Sequence, residues 1–263
     1  MAQRLDGTRV VLTGAAGGIG AAAVADLRAL GARVAGIDAR PADGVLMADV
    51  TDREQVREAM AAAVRELGGI DTLVNCAGIG VPQDAGDFPD EEARRVLAVN
   101  FFGAWNATAA AMPELLKSRG HVVNVLSGMA VVDLPFGAAY AASKRALEAY
   151  SNALRLEYAG RLTVTTLYPG YVRTAIHRRS LELGVSLDGV AHVETVDQAA
   201  AAVVRACVVR RRRMAVTPRS RLEFWLARHW PRLVERVVRA RLAAAMAKRP
   251  APSFLRHPQV PGR

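Results

Sequence analysis

The chain has 263 residues, of which 51% are apolar, and it carries a formal net charge of +10. The apolar fraction excludes a mainly disordered protein, and the length suits one large α/β domain as well as two small ones. With only Cys76 and Cys207 as cysteines, the chain is not a disulfide-stapled scaffold and fits a reducing compartment. No secretory signal opens the sequence and no apolar run is long enough to span a membrane, so we predict a cytoplasmic protein.

Positive charge is concentrated at the C-terminal end of the sequence. Residues 1–204 hold 19 basic and 23 acidic side chains, whereas residues 205–263 hold 16 basic and 2 acidic ones. The sequence therefore predicts a mildly acidic body with a basic C-terminal segment, rather than a uniformly basic protein that binds nucleic acid.

Apolar segments typical of strands alternate along the chain with segments typical of helices. We predict seven short strands, over residues 9–13, 33–37, 45–48, 71–74, 121–126, 162–167 and 214–217. Between them we predict helices over residues 18–30, 52–67, 90–117, 138–158 and 196–209. Thr51 or Asp52 can cap the second of these helices.

Strands separated by helices of this length form parallel β-α-β units. The predicted fold class is α/β, a Rossmann-type doubly wound parallel sheet of seven strands with helices on both faces, in a single domain over residues 1–217. Because ligands of such sheets bind at the carboxyl ends of the strands, we looked for chemistry directly after each strand.

A glycine-rich turn with the sequence TGAAGGIG, residues 13–20, follows the first predicted strand. Glycines let backbone amides approach a phosphate without a Cβ in the way, and the next helix presents its positive dipole end to the anion. Its position between a strand and a helix is typical of a dinucleotide-binding site. We expect the cofactor to contact Gly14, Gly17, Gly18, Ile19 and Gly20.

Asp38 ends the second predicted strand, 18 residues after Gly20. A carboxylate at this place can accept hydrogen bonds from both hydroxyls of an adenosine ribose, and it would repel a 2′-phosphate. Ala15 and Ala16 add no cation to the glycine turn for such a phosphate, although Arg40 close by offers one. We therefore predict NAD as the cofactor, with NADP as the alternative.

Further motifs follow the later predicted strands. Residues 75–78 read NCAG, Asn100 lies in a Val-Asn step, and residues 168–174 read YPGYVRT. Ser127 follows the fifth strand, Tyr140 comes 13 residues later, and Lys144 follows Tyr140 by four. A Tyr-x-x-x-Lys pair alone occurs often by chance, but six motifs in one order indicate a common design.

Together with the glycine turn, these motifs resemble the short-chain dehydrogenase/reductases of the compact type, over roughly residues 7–217. The chain departs from the family's NNAG segment because Cys76 stands in place of the second Asn. The resemblance implies that Asp49 and Val50 flank the adenine. It also implies cofactor contacts for Asn75, Ala77, Gly78, Tyr140, Lys144, Pro169, Val172 and Thr174.

The resemblance makes Asn100, Ser127, Tyr140 and Lys144 the catalytic residues. Moving a hydride to or from an alcohol carbon requires an acid or base at its oxygen, and a tyrosine of ordinary pKa is a poor base at neutral pH. Because Lys144 lies on the same helix face as Tyr140, we expect its charge to lower the tyrosine pKa. Ser127 can donate to the substrate oxygen where negative charge develops. By resemblance, Lys144 also holds the nicotinamide ribose and Asn100 supports a water chain from Lys144 to solvent.

The segment after Ser127 is almost entirely apolar. We expect Met129 and Phe136 to contact the substrate together with Ser127 and Tyr140, which favours an apolar alcohol or ketone. The alternative is that these side chains only pack under a loop. Residues 175–195 are predicted to form the lid.

The basic segment over residues 218–248 is predicted to form an amphipathic helical extension, and residues 249–263 a disordered tail. Pro231, which follows Trp230, can serve as the first residue of a second helix. Three interpretations stay open: docking on the body or on a partner subunit, contact with a membrane surface, and nucleic-acid binding. We favour docking and predict no nucleic-acid partner, because no nucleic-acid-binding module is evident.

We thus predict an enzyme that interconverts a small-molecule secondary alcohol and a ketone with NAD, as a homodimer or homotetramer and without a metal. The first alternative is an NADPH-dependent 3-oxoacyl-carrier reductase. The second is a non-catalytic, NAD-binding regulatory or scaffold protein, because fold alone does not establish activity.

Overall fold

Seven parallel strands form the central sheet of the computed structural model, which describes residues 5–246. The sheet has the order β3-β2-β1-β4-β5-β6-β9, and β7 and β8 form a separate parallel pair. The strands are β1 (Arg9–Thr13), β2 (Arg33–Asp38), β3 (Val45–Met47), β4 (Thr72–Asn75), β5 (His121–Val125), β6 (Thr163–Tyr168), β7 (Tyr171–Val172), β8 (Val193–Glu194) and β9 (Arg213–Ala215).

The helices lie on both faces of this sheet, so the predicted fold class is confirmed. They are α1 (Gly18–Ala29), α2 (Arg53–Leu67), α3 (Glu91–Leu97), α4 (Ala104–Lys117), α5 (Ala138–Glu157), α6 (Arg178–Glu182), α7 (Val196–Val209), α8 (Pro218–His229) and α9 (Pro231–Met246). Of the two predicted caps, Asp52 begins α2, since its carboxylate accepts hydrogen bonds from the backbone N–H groups of Glu54 and Gln55.

The core has two layers because successive residues of a strand point to opposite faces. Val10 and Leu12 of β1 pack into a buried cluster with α1 and α7, whereas Val11 packs with α2 and α4 on the other side. Strand order reverses between β1 and β4, and the carboxyl ends of these two strands therefore open a crevice for a ligand.

The predicted helix over residues 90–117 is interrupted. α3 and α4 are joined by a π-helical segment, Ala98–Gly103, in which each turn holds an extra residue. Asn100 lies in this segment, and its side chain makes two hydrogen bonds to the backbone of Ile79. The paired strands β7 and β8, two residues each, were not predicted, because two residues carry no periodicity.

The C-terminal residues that the structure describes fold as two helices. α9 begins at Pro231, as predicted, and α8 packs on the body through Ser220, Phe224 and Ala227. The predicted disordered tail, residues 249–263, lies outside the described residues. Within residues 5–246, no helix combines the length and the apolar character that a bilayer crossing needs.

Candidate active site

A cleft of about 880 Å³ runs along the carboxyl ends of the strands. Its floor is built from the loops after β1, β2, β4, β5 and β6, and its open side is bordered by α8 and α9. Its size suits a small molecule together with part of a cofactor.

The glycine turn forms one end of the cleft, and its close packing requires glycine at two positions. Gly14 has a φ of +77°, and a Cβ there would lie 2.7 Å from the Cα of Ala77. A Cβ at Gly20 would collide with the carbonyl oxygen of Gly14. These contacts hold the start of α1 against the loop after β4, so that the first amides of α1 open toward the cleft. The turn thus fits the phosphates of a dinucleotide.

Asp38 lies at the end of β2, beside this turn. One carboxylate oxygen accepts from the backbone N–H of Ala16 at 2.9 Å, and the other accepts from the backbone N–H of Arg40 at 2.9 Å and from its Nε at 3.3 Å. The Asp38 carboxylate is nearly buried, whereas the Arg40 side chain is 59% exposed and also lines the cleft. Asp38, which favours NAD, and Arg40, which favours NADP, therefore lie side by side.

Ser127, Tyr140 and Lys144 meet at the middle of the cleft. Ser127 follows β5, and its hydroxyl accepts from the backbone N–H of Met129 at 3.2 Å, while Tyr140 lies on the first turn of α5. The ammonium of Lys144 lies 5.8 Å from the centre of the Tyr140 ring and donates to the carbonyl of Val125 at 3.1 Å.

Burial controls the electrostatics of this group. It raises the pKa of Tyr140, although the neighbouring Ser127 hydroxyl opposes the shift, and it lowers the pKa of Lys144 to about 8. The expected net lowering of the tyrosine pKa is not found, because burial is the largest influence on it. The Lys144 ammonium itself donates to the Val125 carbonyl. In this arrangement Tyr140 holds its proton at neutral pH.

Asn100 does not line the cleft, and its side chain joins the loop after β4 to α5. Its Nδ2 donates to the carbonyl of Ile79 at 2.9 Å and to the hydroxyl of Ser143 at 3.0 Å, and its Oδ1 accepts from the backbone N–H of Ile79 at 2.8 Å. Ser143 in turn donates to the carbonyl of Tyr140 at 2.7 Å. Gly78 separates Asn100 from Lys144, since a Cβ at this glycine would lie 3.3 Å from Oδ1 and 3.5 Å from the ammonium.

Comparison with known proteins identifies the family. The sequence pattern described as short chain dehydrogenase matches residues 8–182. The chain belongs to the short chain dehydrogenase family. Over 90% of its length, and the whole of the other chain, it superposes on a short chain dehydrogenase from Burkholderia cenocepacia J2315 in complex with NADP, with a TM-score of 0.75 and 29% identity. A ligand-free aldohexose dehydrogenase from Thermoplasma acidophilum gives a TM-score of 0.71 with 26% identity, over 79% of this chain and 91% of the other.

Curated relatives of this short chain dehydrogenase include reductases with different substrates. It is 33% identical to 3-ketodihydrosphingosine reductase of Bacteroides thetaiotaomicron, over 63% of this chain and 64% of the relative. It is 40% identical to NADPH-dependent 1-acyldihydroxyacetone phosphate reductase of Schizosaccharomyces pombe, over 52% of this chain and 47% of the relative. The chain spans less than two thirds of the length of these relatives.

Most residues predicted to contact cofactor or substrate line the cleft. Those found there are Gly14, Gly17, Gly18, Ile19, Gly20, Asp38, Asp49, Val50, Ala77, Gly78, Ser127, Met129, Tyr140, Lys144, Pro169, Val172 and Thr174.

Asn75 and Phe136 are placed elsewhere. Asn75 ends β4 with its side chain inside the fold, where Nδ2 donates to Asn124 at 2.8 Å and to Thr108 at 3.0 Å. Its side chain is therefore not part of the cleft lining, and its contact with the cofactor stays a prediction. Phe136, with a φ of +62°, lines a smaller pocket beside Met129 and Tyr140.

We did not predict from the sequence that the C-terminal helices border this site. The cleft is lined by the apolar residues Phe224, Leu226, Leu233, Val234, Val237 and Val238. Arg241 of α9 also lines it and donates to the carbonyl of Val190 at 3.3 Å, in the predicted lid. The apolar spacing of α8 and α9 was visible in the sequence, but it does not reveal which surface such a stripe covers.

Cys76, which departs from the resembled motif, also lines the cleft. Burial raises the pKa of its thiol to about 11, so the thiol is protonated at neutral pH and is a poor nucleophile. Within residues 5–246, no group of three or more His, Cys, Asp or Glu side chains is arranged to hold a metal ion.

Proposed function

We propose that this short chain dehydrogenase interconverts an apolar secondary alcohol and a ketone with NAD. The observation that carries this proposal is the meeting of Ser127, Tyr140 and Lys144 in one cleft with the glycine turn. When bound, the nicotinamide supplies or accepts the hydride. The glycine turn, Asp38 and the loop that holds Thr174 are suited to bind such a dinucleotide.

Tyr140 is the proposed acid and base at the substrate oxygen. Its raised pKa keeps the phenol protonated, which suits donation of a proton to a ketone oxygen during reduction. Ser127, which lines the same cleft, can donate to the same oxygen and stabilise the charge that develops on it. Oxidation requires the phenolate, and the proposed role of Lys144, whose ammonium lies 5.8 Å from the centre of the Tyr140 ring, is to stabilise that negative charge.

Asn100 is proposed as a positioning residue. Its three hydrogen bonds fix Ile79 and Ser143, and Ser143 holds the backbone of Tyr140. Through these contacts Asn100 sets the place of Tyr140 and of the glycine-rich loop that borders Lys144. Its expected role in a water chain stays a prediction.

The lining of the cleft supports an apolar substrate. Met129, Val132, Leu134, Phe224 and Val237 are among the apolar side chains that line it. The names of the two relatives, a 3-ketodihydrosphingosine reductase and a 1-acyldihydroxyacetone phosphate reductase, support a substrate with an acyl or alkyl chain. The second relative is NADPH-dependent, and Arg40 in the cleft keeps NADPH as the alternative cofactor.

Replacing Tyr140 with Phe tests the proposal. With a panel of long-chain and cyclic secondary alcohols, we expect turnover to fall by a factor of roughly 10²–10⁴, because the proton-transfer group is lost. NADH fluorescence titration is expected to show unchanged cofactor binding. Tyr158→Phe, outside the cleft, is the matched control and should keep full activity.

Two outcomes would contradict the proposal. Undiminished turnover of the Tyr140→Phe variant would remove Tyr140 from the reaction. A wild-type protein that binds NAD but turns over no alcohol or ketone would favour the scaffold alternative.

We also propose that the protein forms a homodimer through α4 and α5. Phe102, in the π-helical segment before α4, and Trp105 of α4 are exposed, and the Trp105 ring stacks on Tyr150 of α5 with 4.6 Å between centroids. Contiguous exposed aromatic rings are typical of an interface between subunits. Light scattering should report a dimer for the wild type and a monomer for Trp105→Asp. Cytoplasmic localisation stays a prediction.

A further inference from the structure

The outer side of α8 combines arginine with large apolar side chains. Arg221, Leu222, Trp225 and Arg228 are all exposed there, with Leu222 at 56% and Trp225 at 48%. The opposite side of the same helix is held on the body by Ser220 and Ala227, which are buried. The exposed side is therefore fixed outward by packing.

The outer side of α9 is also basic. Arg232 and Arg236 are exposed, one helical turn apart, while Val234 and Val238 lie on the side that borders the cleft. The acidic residues of the two helices, Glu223 and Glu235, pair with other arginines. Among the described residues, no acidic side chain forms a salt bridge with Arg221, Arg228, Arg232 or Arg236.

Two tryptophans lie at the junction of these helices. The rings of Trp225 and Trp230 meet edge to face with 5.3 Å between centroids, and Trp230 is 51% exposed. Indole rings are enriched at the level of lipid headgroups, where the ring is in an apolar and its N–H in a polar environment. A soluble surface rarely exposes two such rings without a partner.

We propose that the surface formed by Arg221, Leu222, Trp225, Arg228, Trp230, Arg232 and Arg236, the α8–α9 surface, docks on an anionic lipid bilayer. Arginines complement anionic headgroups, and Trp and Leu side chains insert among the acyl chains at the interface. A second copy of the chain is a poorer occupant, because a two-fold interface here would place unpaired arginines opposite one another. A nucleic-acid backbone would bind the arginines but offers no apolar surface to Leu222.

Docking at this surface would hold the enzyme by the helices that border its cleft. Leu233 and Val237 of α9 line the open side of the cleft and are themselves more than two fifths exposed. The cleft border would then lie next to the bilayer, independently of the reaction that the site performs.

Vesicle flotation tests the proposal with the full chain. We expect the wild-type protein to float with vesicles of phosphatidylcholine mixed with phosphatidylserine, but not with phosphatidylcholine alone, and to be released by high salt. Arg232→Glu with Arg236→Glu should weaken binding roughly tenfold or more, and Trp225→Ala with Trp230→Ala should weaken it similarly. Neither pair lines the cleft, so activity on a water-soluble substrate should not change.

The matched control is Arg57→Glu with Arg65→Glu, which makes the same change of charge on exposed positions of α2. This control should float like the wild type. Absence of flotation, equal flotation with both vesicles, or unchanged binding by the Arg232/Arg236 variant would overturn the proposal. It would also be overturned if these variants converted a lipid-free dimer into a monomer, or if the surface bound duplex DNA and no vesicles.

Discussion

The backbone N–H of Gly170 donates a hydrogen bond of 2.7 Å to the carboxylate of Glu194. Glu194 is buried on β8, and it also accepts from the hydroxyls of Thr217, at 3.2 Å, and of Ser220. One carboxylate therefore joins the loop after β6, which lines the cleft, to the first turn of α8, which brings Phe224 to the same cleft.

Replacing Glu194 with Gln should loosen both elements. The amide nitrogen cannot accept a hydrogen bond, so the hydroxyls of Thr217 and Ser220 must turn to accept from it, and the charge that strengthens all three bonds is lost. We expect the unfolding free energy to fall by about 1–3 kcal/mol. The apparent KM for the cofactor should rise, because Gly170 is adjacent to Pro169 in the cleft wall. Urea denaturation and initial-rate kinetics measure the two effects, and Glu58→Gln on the surface of α2 should show neither.

Asp38→Ser should shift cofactor preference toward NADP. The substitution removes the carboxylate that would accept the ribose hydroxyls, and it frees the Arg40 guanidinium to bind a 2′-phosphate. We expect the ratio of kcat/KM for NAD to that for NADP to fall by roughly tenfold to a hundredfold. Asp43→Ser, exposed in the following loop, is the control. A wild-type enzyme that already prefers NADP would contradict the assignment of NAD.

Phe224→Ala should affect long apolar substrates more than short ones. The Phe224 ring packs beside Gly128, and its centroid lies 6.2 Å from that of the Tyr168 ring. It also forms part of the cleft border. Its loss removes apolar contact area, and we expect kcat/KM for a long-chain substrate to fall about tenfold, with little change for a short one. Trp225→Ala, next in sequence but outside the cleft, is the control under lipid-free conditions. Equal losses for both chain lengths would show that Phe224 serves only stability.

His121 should make stability depend on pH. The ring is fully buried on β5, where Nε2 lies 2.8 Å from the hydroxyl of Thr165, and burial lowers its pKa from 6.5 to about 3. The unfolded chain therefore binds a proton below about pH 6.5 that the folded chain does not, and folding is weakened by about 1.4 kcal/mol per unit as pH falls from 6.5 toward 3.

Urea midpoints at neutral pH and at about pH 5.5 measure this effect. His121→Gln keeps a polar group near Thr165 but has no imidazole to protonate. Its loss of stability between the two pH values should therefore be smaller than that of the wild type, by the free energy that protonation of His121 in the unfolded chain contributes. An identical loss in both proteins would assign the acid sensitivity to other groups.

Local patterns were sufficient to predict the sheet and the glycine turn. α7 begins and ends at the predicted residues, Val196 and Val209, because its capping residue Thr195 and its apolar period are both local features. The cleft residues Gly14 and Asp38 were predicted because a parallel sheet brings the ends of its strands together regardless of the detailed packing.

Contacts between distant segments could not be predicted in this way. The place of Phe224 depends on how α8 packs against Tyr168 and Gly128, and no pattern within residues 218–229 specifies that contact. The direction of the Lys144 ammonium likewise depends on the carbonyl of Val125, 19 residues earlier in the chain. The i to i+4 spacing predicted the shared helix face but not the hydrogen-bond partner.

The position of Asn100 depends on how many residues the π-helical segment Ala98–Gly103 contains, rather than on which residues they are. Deleting one residue there would let α3 and α4 merge into a regular helix, while rotating one half against the other by about 100°. Asn100 would then lose its hydrogen bonds to Ile79 and Ser143, although the residue itself is unchanged. A sequence alignment that ignores the extra residue would thus pair helices of similar sequence in which the side chain of Asn100 is placed differently.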